Sequence, residues 1–215
     1  MSRSRTSKAW MHEHVTDPWV RRAKAEGWRS RAAFKLLQMD EKDRLLRPGM
    51  TVIDLGASPG GWSQVAARAV APSGQVVAVD LLPMAPLAGV TFLQGDFEDE
   101  AMLVLIEGVL GNRPADLVLS DMAPNLSGVG LVDQARCERL AEAALDAVRR
   151  WLRPGGALLV KAFHGGAFDG LVRRLREGFD QVAVRKPQAS RGRSAEIYLL
   201  ARGWRGAAVS GTNQD

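Results

Sequence analysis

The amino-acid sequence predicts an α/β fold whose mostly parallel, Rossmann-like sheet has one antiparallel end strand and helices on both faces. Short β-rich stretches alternate with helical stretches along most of the chain, which is typical of a parallel sheet covered on both sides. The chain then ends in two strands, 181–185 and 195–201, and the loop between them leaves no room for a helix. These two strands should therefore pair antiparallel.

The individual elements follow from the periodicity of apolar residues. A first helix is expected over 31–46, where Phe34, Leu37 and Leu45 lie among charged residues and Pro48-Gly49 ends the pattern. Apolar β-rich runs predict strands at 51–55, 75–79, 90–93, 116–120 and 157–160. Further helices are expected near 61–70, 99–110, 133–152 and 167–177.

The length of 215 residues suits a single domain, which we expect over 18–203, between a basic, flexible arm at 1–17 and a tail at 204–215. The formal net charge is +5. Residues 1–35 hold nine basic side chains against three acidic ones, and a second basic group lies near the C-terminus. Basic segments on a nearly neutral body suggest a polyanionic partner such as a nucleic acid.

The composition disfavours several other classes of protein. The start of the chain lacks the apolar core of a secretory signal, and no apolar run approaches the roughly 18 residues of a membrane span. Cys137 is the single cysteine, so neither an intrachain disulfide nor a cysteine-built metal site can form. We therefore expect a cytoplasmic protein that has no metal site and no membrane contact.

The turn after the first predicted strand has the composition of a cofactor site. It reads Asp54-Leu-Gly-Ala-Ser-Pro-Gly-Gly-Trp62 and precedes a helix, so Gly56, Gly60 and Gly61 would let a ligand approach the backbone. This Gly-x-x-x-Gly-Gly spacing differs from the dinucleotide fingerprint and from the P-loop. Asp54 is either a buried structural acid or a direct ligand.

Acidic residues follow the next two strands at positions where an adenosine needs contacts. Asp80 lies about 20 residues beyond Gly60, where a carboxylate can accept hydrogen bonds from both ribose hydroxyls. Asp96 follows the third strand, where it can meet the adenine amino group. Each acid alone could cap a helix, but the set at the ends of successive strands predicts an adenosyl cofactor.

Four other charged residues interrupt or border apolar segments. Asp121 follows the fourth strand, at the switch point of the sheet. Lys161 closes the apolar fifth strand, where burial of a lysine is costly unless it is paired or neutral. Lys35 interrupts an apolar helical run, and Glu196 lies in the last strand. Each of these residues alone is more typical of a solvated charge than of a catalyst.

Seven short motifs, spread over about 18–203, carry a family resemblance. They are Ser30-Arg-Ala-Ala-Phe-Lys35, the turn 54–62, Asp80-Leu-Leu-Pro-Met84, Gln94-Gly-Asp96, Ser120-Asp-Met-Ala-Pro-Asn125, Val160-Lys161 and Ser190-Arg-Gly-Arg-Ser-Ala-Glu196. In combination they resemble the FtsJ/RrmJ family, the bacterial large-subunit ribosomal RNA 2′-O-ribose methyltransferases. The resemblance implies a class I methyltransferase fold with S-adenosylmethionine as cofactor.

The resemblance also implies a site and a substrate. A Lys-Asp-Lys-Glu tetrad surrounds the target ribose in this family, and the matching positions here are Lys35, Asp121, Lys161 and Glu196. The family's cofactor contacts fall on Gly60, Trp62, Asp80, Asp96 and Asp121. The implied substrate is a uridine in the A-loop of 23S ribosomal RNA, within the assembled or nearly assembled large ribosomal subunit.

Methylation of a sugar hydroxyl sets requirements that this tetrad can meet. The enzyme must hold oxygen, methyl carbon and sulfur in line and accept a proton as the oxygen attacks. A lysine accepts a proton only in its neutral form, which burial and a neighbouring ammonium favour. We predict that Lys161 is the general base and that Lys35 favours its neutral form and contacts RNA. Asp121 would orient Lys161 and touch the cofactor, and Glu196 would support them.

The RNA-binding surface is expected to flank the tetrad, as part of a monomeric protein. The residues predicted to contact RNA are Arg31, Lys35, Arg185, Lys186, Arg191 and Arg193.

Two other classes of function stay open, namely methylation of an RNA base and non-catalytic RNA binding in ribosome assembly. Methylation of an exocyclic amine of an RNA base is disfavoured because the segment after strand four, Asp121-Met-Ala-Pro-Asn125, lacks a stacking aromatic residue. Methylation of a pyrimidine carbon would need a cysteine nucleophile, and Cys137 lies within a predicted helix. A non-catalytic RNA-binding protein of ribosome assembly would be expected to have lost tetrad residues, and none is lost.

Overall fold

The computed structural model of the chain describes residues 17–123, 130–165, 168–190 and 195–206. The predicted arm, apart from Asp17, and most of the predicted tail lie outside the described residues, as do Asn125, Arg191 and Arg193. The division of the chain into arm, domain and tail therefore stays a prediction. Among the helices that the structure describes, none is both long enough and apolar enough to cross a bilayer.

Helices and strands alternate along the described residues, as predicted. The helices are α1 (Pro18–Ala25), α2 (Ala32–Asp43), α3 (Gly61–Val70), α4 (Glu100–Leu110), α5 (Gly130–Trp151) and α6 (Phe168–Gly178). The strands are β1 (Thr51–Leu55), β2 (Gln75–Asp80), β3 (Val90–Gln94), β4 (Ala115–Ser120), β5 (Leu152–Phe163), β6 (Phe179–Arg185) and β7 (Glu196–Trp204).

The described strands form one sheet in the order β3-β2-β1-β4-β5-β7-β6. Strands β1 to β5 pair in parallel, whereas β7, the last strand of the chain, runs antiparallel to both of its neighbours, β5 and β6. The predicted fold class is confirmed. The strand order reverses between β1 and β4, and ligands of open α/β sheets bind in the crevice at the carboxyl ends of such strands.

Apolar side chains on both faces of the sheet pack under two layers of helices. Helices α4, α5 and α6 cover the face that includes Ile53 and Leu158, and α2 and α3 cover the face that includes Val52 and Leu159. Neighbouring residues fall into different clusters because successive side chains of a strand point to opposite faces. Full burial of each such side chain stabilises the fold by about 1.5–3 kcal/mol, so the strand ends are rigid supports for polar residues.

Two elements differ from the predicted pattern. Helix α1 lies where no helix is predicted, since its eight residues are shorter than the window of roughly 11–18 residues in which apolar periodicity is judged. The signals of its N-terminus are Asp17, which accepts a hydrogen bond from the Trp19 N–H at 2.9 Å, and Pro18 in the first turn. Strand β5 begins at Leu152, although the following Pro-Gly-Gly is typical of a turn, because Leu152 already pairs with Ala115 of β4.

Candidate active site

Two lysines and two carboxylates form a buried cluster near the carboxyl ends of β4 and β5. Nζ of Lys35 lies 2.7 Å from Oε1 of Glu196. Nζ of Lys161 lies 2.7 Å from Oδ1 of Asp121 and 3.5 Å from Oε2 of Glu196, and it also donates to the Asp121 carbonyl at 2.7 Å. These four residues, here named the charge cluster, are those predicted for the tetrad, and the structure brings all four together.

The parallel pairing of β4 and β5 places the first two members of the charge cluster side by side. Ser120, the last residue of β4, is in register with Val160 of β5. Asp121 and Lys161 follow these two residues directly, so they lie next to each other at the same edge of the sheet. Three acceptor oxygens therefore surround Nζ of Lys161, one for each proton of an ammonium group.

The antiparallel pairing of β7 with β5 adds the third member of the charge cluster. Tyr198 of β7 is in register with Lys161 of β5. Directly opposed residues of an antiparallel pair share a face, as do residues two apart in one strand, so Glu196 lies on the same face as Tyr198. Helix α2 covers this face and supplies Lys35 from above.

Burial makes the charges of the cluster interdependent. The side chains of Lys35 and Lys161 are only 11% and 6% exposed. Burial alone would raise the pKa of Glu196, but the positive charges of the two lysines, with hydrogen bonds from Lys35 and Ser190, lower it from 4.5 to about 2. Removing one partner of a buried ion pair typically costs about 3–5 kcal/mol, because the other charge is left uncompensated.

Two hydroxyls support the charge cluster, and neither is among the predicted site residues. Ser190 Oγ donates to Oε1 of Glu196 at 2.9 Å. The Tyr198 hydroxyl accepts a hydrogen bond from Lys35 Nζ at 3.1 Å and donates one to Asp121 Oδ1 at 2.7 Å. The spacing of Tyr198 two residues after Glu196 is the signal that could have found it, since both must point to one face of β7.

The glycine turn between β1 and α3 lies at the same edge of the sheet. Gly56 and Gly60 have φ angles of +73° and +102°, which disfavour any residue with a Cβ atom. A Cβ at Gly56 would approach Cγ of Met122 to 2.5 Å, and one at Gly60 would approach Sδ of Met84 to 2.8 Å. A Cβ at Gly61 would clash with Oγ of Ser30. The turn therefore depends on glycine at all three predicted positions.

Two acids follow the next two strands along the sheet from the glycine turn, as predicted. Asp80 ends β2, and its two oxygens accept hydrogen bonds from the N–H groups of Ser58 and Leu82, each at 2.8 Å. Asp96 follows β3 and accepts one from the Glu98 N–H at 3.0 Å. Each carboxylate oxygen has two lone pairs, so both side chains keep acceptor sites for a ligand.

The carboxyl group of Asp54 is fully buried beneath the glycine turn. Its Oδ2 accepts a hydrogen bond from Ser63 Oγ at 2.6 Å, whereas Oδ1 has no hydrogen-bond partner among the described residues. Burial, together with the nearby negative charges of Asp121 and Asp80, raises the pKa of Asp54 to about 7. A cationic ligand beside the turn would stabilise the carboxylate form.

Trp62 is placed differently from the other predicted cofactor residues. Its indole ring is buried, its Nε1 donates to the Ala32 carbonyl at 2.9 Å, and its ring centroid lies 5.5 Å from that of Tyr198. The side chain therefore connects α3 to α2 and to Tyr198, whose hydroxyl is hydrogen-bonded to the charge cluster. A contact with the cofactor would come from the Trp62 backbone, which lies in the first turn of α3.

Comparison with known proteins assigns the chain to a family. The family model of FtsJ-like methyltransferases matches residues 28–204. The chain belongs to the FtsJ-like methyltransferase family. This match spans both the glycine turn and the charge cluster, and it confirms the resemblance that the sequence motifs carry.

Named relatives and a solved structure agree with this assignment. The ribosomal RNA large subunit methyltransferase E of Azoarcus sp. strain BH72 is 60% identical over 93% of this chain and 98% of that protein. The protein of the same name from Pseudomonas aeruginosa is 54% identical over 96% of this chain and 100% of that protein. A ribosomal RNA methyltransferase from Plasmodium falciparum matches 84% of this chain and 100% of its own, with a TM-score of 0.76 and 27% identity.

The residues predicted to bind RNA have contacts within the protein. Arg31 forms an ion pair with Asp17 and donates to the Ala189 carbonyl. These contacts fasten the loop before β7 to the start of α1. The internal ion pair indicates that Arg31 supports this loop, and its contact with RNA stays a prediction.

Arg185 ends β6, and Lys186 follows it in the loop before β7. Arg185 makes two hydrogen bonds to Asp43, at 2.6 and 2.7 Å, and its guanidinium lowers the pKa of that carboxyl below 3.8. Lys186 donates to the Glu196 carbonyl. Arg191 and Arg193 lie outside the described residues. Of these described cations, Lys186 contacts a residue of the charge cluster, whereas Arg185 is held by Asp43 at the end of α2.

The raised pKa of Asp54 predicts a pH-dependent difference in stability between the wild type and Asp54→Asn. The folded-state pKa of about 7 lies above the ordinary 3.8, so the protonated acid favours the fold at low pH. As pH rises from about 4 to above 7, the wild type should lose up to about 4 kcal/mol relative to the variant. Urea unfolding at several pH values measures this loss.

The test for Asp54 is the change with pH in the difference in free energy of unfolding between the wild type and Asp54→Asn. The size of that difference at a single pH does not test the assignment. Asp146→Asn, which removes an exposed carboxylate of α5 in an ion pair with Arg149, should show no comparable pH dependence. A difference between wild type and Asp54→Asn that stays constant over this range would contradict the assignment.

The ion pair of Arg31 predicts that Arg31→Ala loses stability. The change removes the buried partner of Asp17 and the donor to the Ala189 carbonyl, so the free energy of unfolding should fall by about 2–4 kcal/mol. Arg139→Ala, which breaks an exposed ion pair with Glu98, should cost no more than about 1 kcal/mol. Unchanged unfolding of Arg31→Ala with weaker RNA binding would instead assign the residue to RNA contact alone.

Proposed function

We propose that the chain transfers a methyl group from S-adenosylmethionine to the ribose 2′-hydroxyl of a uridine in large-subunit ribosomal RNA. The observation that carries the proposal is the charge cluster, which lies buried beside a glycine turn bordered by acids. A site that only binds a cofactor, and accepts no proton, would not need two lysines inside the protein. A catalyst of proton transfer from a sugar hydroxyl needs such a group close to the reacting atom.

The named relatives support the choice of substrate. Two proteins whose names specify methylation of the large-subunit ribosomal RNA share 60% and 54% of their residues with this chain, over nearly their whole length. Their similarity spans every member of the charge cluster. The uridine of the A-loop, and its ribose oxygen, enter the proposal through the motifs of the FtsJ/RrmJ family.

The residues around the glycine turn fit S-adenosylmethionine. Within the part of the chain that the structure describes, the buried Oδ1 of Asp54 has no hydrogen-bond partner, and a ligand with a sulfonium and an ammonium group would offset the carboxylate charge at this turn. Asp80 would hold the ribose hydroxyls of the cofactor and Asp96 its adenine amino group. The glycines would let the ligand approach the backbone at the start of α3. When bound, the cofactor supplies a methyl group whose carbon–sulfur bond breaks as the ribose oxygen bonds to the carbon.

The charge cluster would perform the proton transfer of this reaction. The proton of the 2′-hydroxyl passes to Nζ of Lys161, which must be neutral when the oxygen attacks. Asp121 orients that nitrogen through two contacts, one from its carboxylate and one from its carbonyl. Glu196 contacts both Lys35 and Lys161 and so keeps the two lysines in place.

The RNA would approach along the loop before β7 and the basic N-terminal residues. Lys186 of this loop contacts the Glu196 carbonyl, and Arg185 precedes it at the end of β6. Contacts of such cations with phosphates position an RNA without reading its sequence. We further propose that the protein acts as a monomer in the cytoplasm, on the assembled or nearly assembled large subunit.

The proposed function predicts where a labelled methyl group is found. The protein is incubated with tritiated S-adenosylmethionine and large subunits that lack the modification, and the RNA is hydrolysed in alkali. Because a 2′-O-methyl group blocks cleavage at its own nucleotide, the label should remain in an alkali-resistant dinucleotide. Lys161→Ala should lose this label, whereas Arg153→Ala, which removes an exposed cation from the start of β5, should retain it.

Three other outcomes would contradict the proposal, each in a different part. Label in mononucleotides would indicate methylation of a base. No label on any RNA would favour a non-catalytic assembly factor. Full activity of Lys161→Ala would leave the reaction in place and exclude Lys161 as its base.

A further inference from the structure

The hydroxyl of Tyr198 is a polar group that the proposed reaction does not yet use. Tyr198 is fully buried, and its ring packs 5.5 Å from the ring of Trp62. A phenylalanine would fill this space equally well. A buried tyrosine hydroxyl normally finds a hydrogen-bond partner, but here both partners belong to the charge cluster, so the hydroxyl lies among the groups proposed to move a proton.

The single proton of this hydroxyl gives its hydrogen bonds a direction. Burial, followed by the charges of Asp121 and Glu196, raises the pKa of Tyr198 well above 10.0, so the hydroxyl is protonated at neutral pH. It donates that proton to Oδ1 of Asp121 and accepts from Nζ of Lys35. The same oxygen of Asp121 receives Lys161 at 2.7 Å. The hydroxyl therefore lies between Lys35 and Asp121.

This position determines which lysine pairs with which carboxylate. Lys35 contacts Glu196, and Lys161 contacts both Asp121 and Glu196. The hydroxyl gives Lys35 an acceptor that is not Asp121, and it gives Asp121 a second donor besides Lys161. Without it, Oδ1 of Asp121 would lose one of these two donors, and Lys35 would lose the acceptor that separates it from Asp121.

We propose that Tyr198 is a positioning residue for methyl transfer, whose hydroxyl keeps Asp121 and the two lysines in the arrangement that lets Lys161 take the ribose proton. The inference rests on the proposed function. It assigns to Tyr198 no contact with substrate or cofactor, because the side chain has no exposed surface. Its effect on the reaction passes through Asp121 and Lys35.

Tyr198→Phe tests this role, because it keeps the ring and removes only the hydroxyl. We expect kcat to fall about tenfold to hundredfold, as for other small misplacements of reacting groups, while the KM values for RNA and S-adenosylmethionine change less than about twofold. The pH–rate profile should also shift, since the hydroxyl that separates Lys35 from Asp121 would be absent and the charges next to Lys161 would rearrange. If the hydroxyl had a purely structural role, its removal would not shift the pH–rate profile and would not lower kcat at constant KM.

Thr51→Val is the matched control. It removes another buried hydroxyl, at the start of β1 and so at the opposite edge of the sheet from the site. It should leave kcat and the pH–rate profile at wild-type values. Calorimetric binding of S-adenosylmethionine by both variants, within about twofold of wild type, checks that the fold and the glycine turn are intact.

The outcomes separate this inference from the function on which it rests. A wild type without ribose methylation would overturn the proposed function and the inference with it. An active wild type with equal kcat in Tyr198→Phe would overturn the inference alone. A rise in KM at constant kcat, or loss of S-adenosylmethionine binding, would also overturn it, because the hydroxyl would then serve binding or folding.

Discussion

The ion pairing of Lys35, Asp121, Lys161 and Glu196 is the interaction on which the rest of the site depends. Two positive and two negative charges balance inside the protein, and each is stable there only because its partners are present. The four residues come from α2, the end of β4, β5 and β7. A change in the relative position of any of these elements would therefore disturb a buried charge as well as the packing.

The fold meets this requirement through its pairing register. Parallel pairing of β4 and β5 places Asp121 beside Lys161. Antiparallel pairing of β7 with β5 places Tyr198 opposite Lys161, with Glu196 on the same face of the sheet. The same sheet edge carries the glycine turn, so methyl donor and proton acceptor would meet without any movement of the core. Hydrogen bonds join the loop before β7 to α2 and to Glu196, and Arg31, which donates to the Ala189 carbonyl of this loop, forms an ion pair with Asp17 at the start of α1.

Much of this arrangement can be predicted from the sequence, because strand ends in a parallel sheet converge. The glycine turn, Asp80 and Asp96 follow from their positions after successive strands, and the family motifs identify all four members of the charge cluster. The role of Tyr198 is not predictable in the same way, since a buried tyrosine in a strand is usually a core residue. The ion pair of Arg31 with Asp17 is not predictable either, because it depends on how the start of α1 packs beside α2.

The proposed reaction requires that Lys161, in a buried, charge-balanced cluster, accepts the ribose proton. Single-turnover rates of methyl transfer, measured against pH for the wild type and for Lys161→Arg, test it most directly, because arginine keeps the positive charge but cannot lose its proton. The wild-type rate should rise with pH to a plateau as Lys161 becomes neutral, and Lys161→Arg should be slow with no such rise. Equal pH–rate profiles for the two proteins would contradict the role of Lys161 as proton acceptor.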